Sequence, residues 1–119
     1  MRWIVAMFFL TFTSPSIAAD CDCTIFPFKP DPPCFDVCTA KHLAVATASE
    51  LMTIAGIDSN IARLIAGIPE NQRPPALEGY RQFLNAVQFK DLKNTLLSLN
   101  GKVFEELRRK AAQRGKNID

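Results

Sequence analysis

Apolar residues recur every three or four positions from Cys34 onward, and almost no stretch shows the alternation of a strand. This spacing predicts a first helix over about 34–55 that ends at Gly56. A second, short helix follows Asp58 or Ser59 as its cap and stops before Pro69. The inward positions predicted for these two helices are Val37, Ala40, Ala44, Ala48, Leu51 and Ala55, then Ile61, Leu64, Ile65 and Ile68.

The pattern continues after a polar link at 70–75. The third predicted helix points Leu77, Tyr80, Leu84 and Val87 to one side, and the last stretch does the same with Phe89, Leu92, Leu96, Leu99, Val103 and Leu107. Asn100-Gly101 interrupts that stretch, so it either splits into two helices or tolerates the glycine inside one. We therefore predict a small all-α domain of four or five helices over 34–112, followed by a basic tail at 113–119 that frays.

Residues 1–18 have the order of a signal peptide. Met1-Arg2 is a short positive start, an apolar run follows from Trp3 to Phe12, and small residues precede a cut after Ala18 or one residue later. The apolar run is too short to span a bilayer, and no later stretch is long enough. We expect a periplasmic or secreted protein with no membrane span in the mature chain.

Four cysteines lie close together in the exported part of the chain. Because an export compartment lets disulfides persist, we predict that Cys21, Cys23, Cys34 and Cys38 form two bridges. An antiparallel approach of the first pair to the helix favours the nested pairing, Cys23 with Cys34 and Cys21 with Cys38, over the crossed pairing.

The segment 19–33 is rich in proline, which forbids helix and favours an extended path. Pro33 is well placed to open the first helix. We expect a proline-rich arm that the disulfides staple to that helix. Phe26 and Phe28 either pack beneath the arm, which is the favoured interpretation, or present an exposed aromatic edge.

The 119-residue chain carries 14 lysines and arginines against 12 acidic residues, a net charge of +2. This balance excludes a strongly basic coat for nucleic acid. The charge is uneven, because aspartates dominate 20–38 and basic residues dominate 102–119. We interpret the basic end as a solvated helix terminus, with contact to an anionic partner as the alternative.

Cys34, Cys38 and His42 are spaced four and four, so they share one helical face. With Cys21 or Cys23 added, they form a candidate site for zinc or monovalent copper, which favour sulfur and imidazole ligands. In an oxidising compartment the same thiols form disulfides, and His42 is then a packing or surface residue. We therefore predict no cofactor and keep metal binding as the second alternative function.

Apolar residues, a glycine turn and a small residue follow one another over 51–65, at Leu51, Ile54, Gly56, Ile57, Ala62 and Ile65, after a lead-in at Thr47-Ala48-Ser49-Glu50. In this order they resemble the helix-hairpin-helix motif of DNA-binding proteins, including small exported ones that take up DNA. The resemblance implies DNA contacts from Gly56, Ile57, Ser59, Asn60 and Arg63. Two departures are Ala55 in place of the usual proline and Asp58 in place of the second glycine. Asp58 disfavours DNA, because its carboxylate caps the amides that a phosphate requires and repels the phosphate.

Enzyme motifs are absent from the sequence: it has no glycine-rich phosphate loop, no serine elbow and no zinc helix, and only one histidine. We therefore predict no catalytic residues. The expected function is that of a non-catalytic binding or accessory protein that contacts another, unidentified protein. DNA binding by the hairpin is the first alternative.

Overall fold

The computed structural model describes residues 21–28 and 34–118, and these form an all-helical structure with no strand. The predicted signal peptide at 1–18, positions 19–20 and 29–33 of the predicted arm, and position 119 of the predicted tail lie outside the described residues. The elements in chain order are α1 (Cys34–Val45), α2 (Ala48–Thr53), α3 (Ser59–Ala66), a first 3-10 helix (Glu70–Gln72), a second 3-10 helix (Leu77–Gln82), α4 (Ala86–Leu97) and α5 (Gly101–Gln113). The predicted all-α fold class is confirmed.

The predicted first helix is two helices, so the expectation of one continuous helix over 34–55 is wrong. The break lies at Thr47, whose side chain accepts a hydrogen bond from the Glu50 backbone N–H while the Glu50 side chain accepts from the Thr47 N–H, both at 3.1 Å. This capping box satisfies two backbone donors and starts α2 afresh. The disulfides also turn the α1 face that carries Cys34 and Cys38 inward, so Val37 and Ala44 are only half-buried.

The predicted third helix is a short 3-10 helix that ends before α4. Asn85 caps α4 through a second capping box with Gln88. Leu77, Tyr80 and Leu84 are buried as predicted, but Val87 lies beyond the cap and is 78% exposed. The predictions for Val87 and for Leu64, which is also exposed, are therefore wrong.

The α4–α5 boundary resolves the alternative left open at Asn100-Gly101. The Asn100 side chain accepts from the Val103 N–H at 3.1 Å, and α5 starts at Gly101. Two helices therefore form, because asparagine is a strong N-cap. The core-facing residues Phe89, Leu92, Leu96 and Leu107 are buried as predicted.

α1 occupies the middle of the fold. It packs against α5 and the second 3-10 helix, while α2 packs on α3 and α4 packs on the second 3-10 helix. Fully buried leucines and Tyr80 form the centre of the core beside the α1 cysteines.

The C-terminal residues pack against the helical domain. Arg114 donates to the Val45 carbonyl at 3.0 Å and pairs with the Glu50 carboxylate, and Lys116 pairs with Glu70 at 3.1 Å. Ile118 is buried. The expectation that the tail frays is wrong for 114–118. The last residue of α1, Val45, supplies a carbonyl and Glu50 in α2 supplies a carboxylate for the Arg114 guanidinium.

Arg73 holds the ends of α1 and α3 together from the link that the sequence marks only as polar. Its guanidinium donates to the carbonyls of Leu43 at 3.1 Å and Ala44 at 2.9 Å in α1, and of Ala66 at 3.2 Å in α3. Its Nε also donates to the Ile68 carbonyl at 3.0 Å. A cation at two helix C-termini satisfies unpaired carbonyls and complements both helix dipoles.

Candidate functional site: a cleft beside the stapled arm

Two disulfides fix residues 21–28, called the arm from here on, along α1. Cys21 bonds Cys34 and Cys23 bonds Cys38, with Cα–Cα distances of 5.4 and 5.3 Å. The prediction that all four cysteines form bridges is confirmed, but the nested pairing is wrong. The lower-numbered cysteine of each pair bonds the lower-numbered partner, so the arm runs parallel to α1 rather than antiparallel.

The bridges place the arm aromatics on α5. The Phe28 ring lies 5.0 Å from the Phe104 ring and is buried, while Phe26 stacks 5.8 Å from Phe104 and remains 43% exposed. Gly101 permits this approach, because a Cβ there would lie 3.0 Å from the Phe26 Cβ. Both sequence alternatives for the arm aromatics hold in part: Phe28 packs inside, and Phe26 also presents an edge.

A cleft of about 560 Å³ opens between the arm and the first turns of α5. We call it the arm cleft. Its apolar lining comes from Phe26, Phe28 and Phe104, and its polar lining includes Lys102, Glu105 and Arg108. Its volume falls within the range of about 300–1,000 Å³ that is typical of ligand sites, and it combines apolar walls with a few polar groups as such sites do.

A second cavity of about 210 Å³ lies on the other side of Phe26. We call it the apolar groove. The described residues that line it are all apolar, among them Pro27 in the arm, Phe35 in α1 and Leu97 at the end of α4. Leu97 is 58% exposed. An exposed apolar groove that borders a charged cleft is typical of interaction sites.

The basic residues of α5 divide into paired and unpaired ones. Arg109 pairs with Glu106 one turn away, and its hydrogen bond lowers the pKa of the Glu106 carboxyl. Lys102 and Arg108, which line the cleft, have no carboxylate partner among residues 21–28 and 34–118. Among the described residues that line the cleft, two available positive charges therefore face one carboxylate, that of Glu105.

The candidate metal ligands do not form a metal site. Cys34 and Cys38 are both in disulfides, so neither offers a thiolate, and the part of the chain that the structure describes has no cluster of three potential ligands. His42 is 2% exposed, its Nδ1 donates to the Cys38 carbonyl at 2.7 Å, and its ring lies 5.1 Å from Phe104. Zinc or copper binding therefore stays a prediction that the two disulfides oppose, and the buried His42 ring packs against Phe104.

The hairpin that resembles a DNA-binding motif forms, with α2 packed on α3. Gly56 takes the left-handed conformation at its turn, with φ of 70°, and Ile57 is buried. The Asp58 carboxylate accepts from the N–H groups of Asn60 at 3.0 Å and Ile61 at 3.3 Å. These are amides that a phosphate would need, so DNA binding stays a prediction that Asp58 opposes.

The remaining DNA-contact candidates are accessible at the start of α3. Asn60 and Arg63 are exposed and Ser59 is half-exposed. A shallow cavity of about 450 Å³ lies between this helix start and α4, and Asp58 and Asp91 line it with Lys90. Two carboxylates facing one ammonium do not suit an anionic ligand.

No helix in the described ranges is long and apolar enough to cross a membrane. Comparison of the chain with protein-family models, with curated proteins and with solved structures finds no match. Function has to be inferred from the residues of the site themselves.

Proposed function

We propose that the protein is a non-catalytic binding protein of the periplasm or the extracellular space, and that it contacts another protein through the arm cleft and the apolar groove. The observation that carries this proposal is the exposed Phe26, which two disulfides hold between the two cavities. A rigid, partly exposed aromatic flanked by pockets is typical of a binding hot spot. The burial of the only imidazole, that of His42, also favours binding over acid–base catalysis.

Export is part of the proposal and has its own test. Intact mass of protein purified from its native compartment should show a start at Ala19 or Asp20, and the loss of four thiol hydrogens to the two disulfides. Alkylation without reductant should add nothing. A retained leader or four reactive thiols would contradict export and the stapled arm.

Site-specific photo-crosslinking in the native compartment tests the binding surface. A photoreactive residue at Leu97, beside the groove, should give a discrete protein adduct. The matched control is Val87, an apolar residue that is also exposed but lies on the first turn of α4, away from the arm. Absence of an adduct at Leu97, or equal adducts at both positions, would contradict the proposed surface.

A further inference from the structure

The arm cleft and the apolar groove are two parts of one continuous surface. Phe26 and Phe28 line both cavities, so the two rings form the partition between them. The described walls of the groove are apolar, whereas those of the cleft add polar and charged groups. A ligand that occupies both must therefore extend across Phe26 and carry an apolar group at one end and a polar group at the other.

The charges that line the cleft determine which polar group of a ligand fits there. Lys102 and Arg108 have no carboxylate partner in the described ranges, in contrast to Arg114, which binds Glu50. The N–H groups of Gly101 and Lys102 lie in the first turn of α5, where Asn100 caps only the Val103 amide. The positive end of the helix dipole adds to the two side-chain charges. Among the described lining residues, Glu105 opposes them with one negative charge, so the balance of these side chains favours an anion.

We propose that the two cavities bind an extended acidic segment of another exported polypeptide, with an aromatic or aliphatic side chain in the groove and a carboxylate at Lys102 and Arg108. This inference rests on the proposed binding function and names the ligand class of the same site. An extended chain suits the surface because side chains a few residues apart along it reach two neighbouring cavities at once. The two disulfides preorganise the arm and so reduce the entropy lost on binding.

Titration with short synthetic peptides tests the ligand class. The probe is an acetylated and amidated pentapeptide with one phenylalanine and two aspartates, compared with versions that carry asparagines or lack the phenylalanine. Amide chemical shifts of Phe26, Phe28 and Gly101 should change with the acidic peptide. We expect the asparagine version to bind about fivefold more weakly at low salt, since each exposed charge pair contributes up to about 1 kcal/mol. The version without phenylalanine should also bind more weakly.

Charge variants of the protein separate the cleft from general electrostatics. Lys102→Gln and Arg108→Gln should each weaken binding of the acidic peptide about two- to threefold and leave the asparagine version unchanged. Lys90→Gln, which removes an exposed cation on α4 outside the cleft, is the matched control and should change neither affinity. An equal effect of Lys90→Gln would show that net charge acts and would overturn the proposed contact.

The outcomes distinguish this inference from the function on which it rests. If acidic and neutral peptides bind the arm equally well, the carboxylate preference is wrong while the binding surface stands. If no peptide shifts the arm amides but Leu97 still cross-links a protein, the acidic-segment ligand is wrong and the binding function is retained. If both experiments are negative, the proposed function itself is overturned.

Discussion

The α2–α3 hairpin and the arm each carry a feature typical of a binding site, yet their polar groups are arranged in opposite ways. In the hairpin, the Asp58 carboxylate satisfies two amides at the start of α3, and the Ile57 N–H donates to the Leu51 carbonyl at 2.9 Å. At the arm, Phe26 stays partly exposed and Lys102 and Arg108 lack carboxylate partners in the described part of the chain. Groups already satisfied within the fold gain little from a ligand, so the arm is the better candidate.

Covalent and non-covalent restraint also differ between the two regions. The arm has no helix of its own and is held by disulfides and ring contacts, whereas the hairpin is held by caps, side-chain burial and Arg73. A region without backbone ladders needs an external restraint to stay ordered, because fixing each residue costs about 1–2 kcal/mol of conformational entropy.

Loss of the Cys23–Cys38 bridge should have the largest effect. Cys23→Ala with Cys38→Ala opens a loop with a sequence separation of 15, which is worth about 3 kcal/mol of the free energy of unfolding. Urea denaturation should show the loss. Hydrogen exchange should speed up more in the arm than in α3, because the arm then also opens locally whereas buried α3 amides follow global unfolding. Equal acceleration in both regions would show that the arm opens only when the whole fold does.

Substitution of Arg73 should have the second-largest effect, on the ends of α1 and α3 rather than on the arm. Arg73→Ala leaves carbonyls at the ends of α1 and α3 without their charged donor, and we expect a loss of roughly 2 kcal/mol in the free energy of unfolding. Arg73→Lys should recover only part of this, because an ammonium cannot reproduce the planar set of donors. Full recovery with lysine in denaturant titrations would indicate that charge alone matters.

The capping boxes and Arg73 differ in how far the sequence reveals them. The boxes at Thr47–Glu50 and Asn85–Gln88 have a recognisable three-residue spacing, and the first of them marks the break between α1 and α2. The role of Arg73 cannot be read in this way, because its acceptor at Leu43 lies 30 residues away. Hydrogen bonds between residues close in the chain leave a sequence signature, whereas contacts between distant residues do not.

In the candidate site, too, the sequence reveals the local features but not the long-range contacts. The cysteine cluster and the cap at Asn100 could be predicted from residue type and spacing. The disulfide pairing could not, since it depends on whether the arm runs parallel or antiparallel to α1. The cleft itself forms only when Phe26 meets Gly101, two residues that no sequence pattern connects.

Substitution of Asp58 tests whether its carboxylate serves the hairpin as a helix cap. Asp58→Ala should cost about 1 kcal/mol, because it removes the N-cap of α3, whereas Asp58→Asn should retain most of the stability. We expect no salt-dependent binding of duplex DNA by the unmodified protein in fluorescence anisotropy. Tight DNA binding that weakens steeply with salt would instead favour the hairpin as the functional site.

Removal of the Tyr80 hydroxyl should have the smallest effect and the opposite sign. Tyr80 is fully buried, its hydroxyl has no hydrogen-bond partner within residues 21–28 and 34–118, and burial raises its pKa to about 12 while Arg73 lowers it. Tyr80→Phe should therefore raise the free energy of unfolding by about 0.5–1 kcal/mol at neutral pH, since it removes the desolvation cost of the hydroxyl.

The pH dependence separates this cause from better packing of the phenyl ring. The folded-state pKa of Tyr80 lies above its ordinary value of 10.0, so between pH 10 and 12 the unfolded chain releases a proton that the folded chain retains. Stability must then fall as the pH rises through this window, and the loss is absent from Tyr80→Phe. Because the chain has a single tyrosine, phenolate absorbance during alkaline titration reports this group alone. A midpoint near 10 in the folded protein, or equal alkaline losses in both proteins, would show that the ring is accessible to water and that the core around α1 opens more readily than its burial indicates.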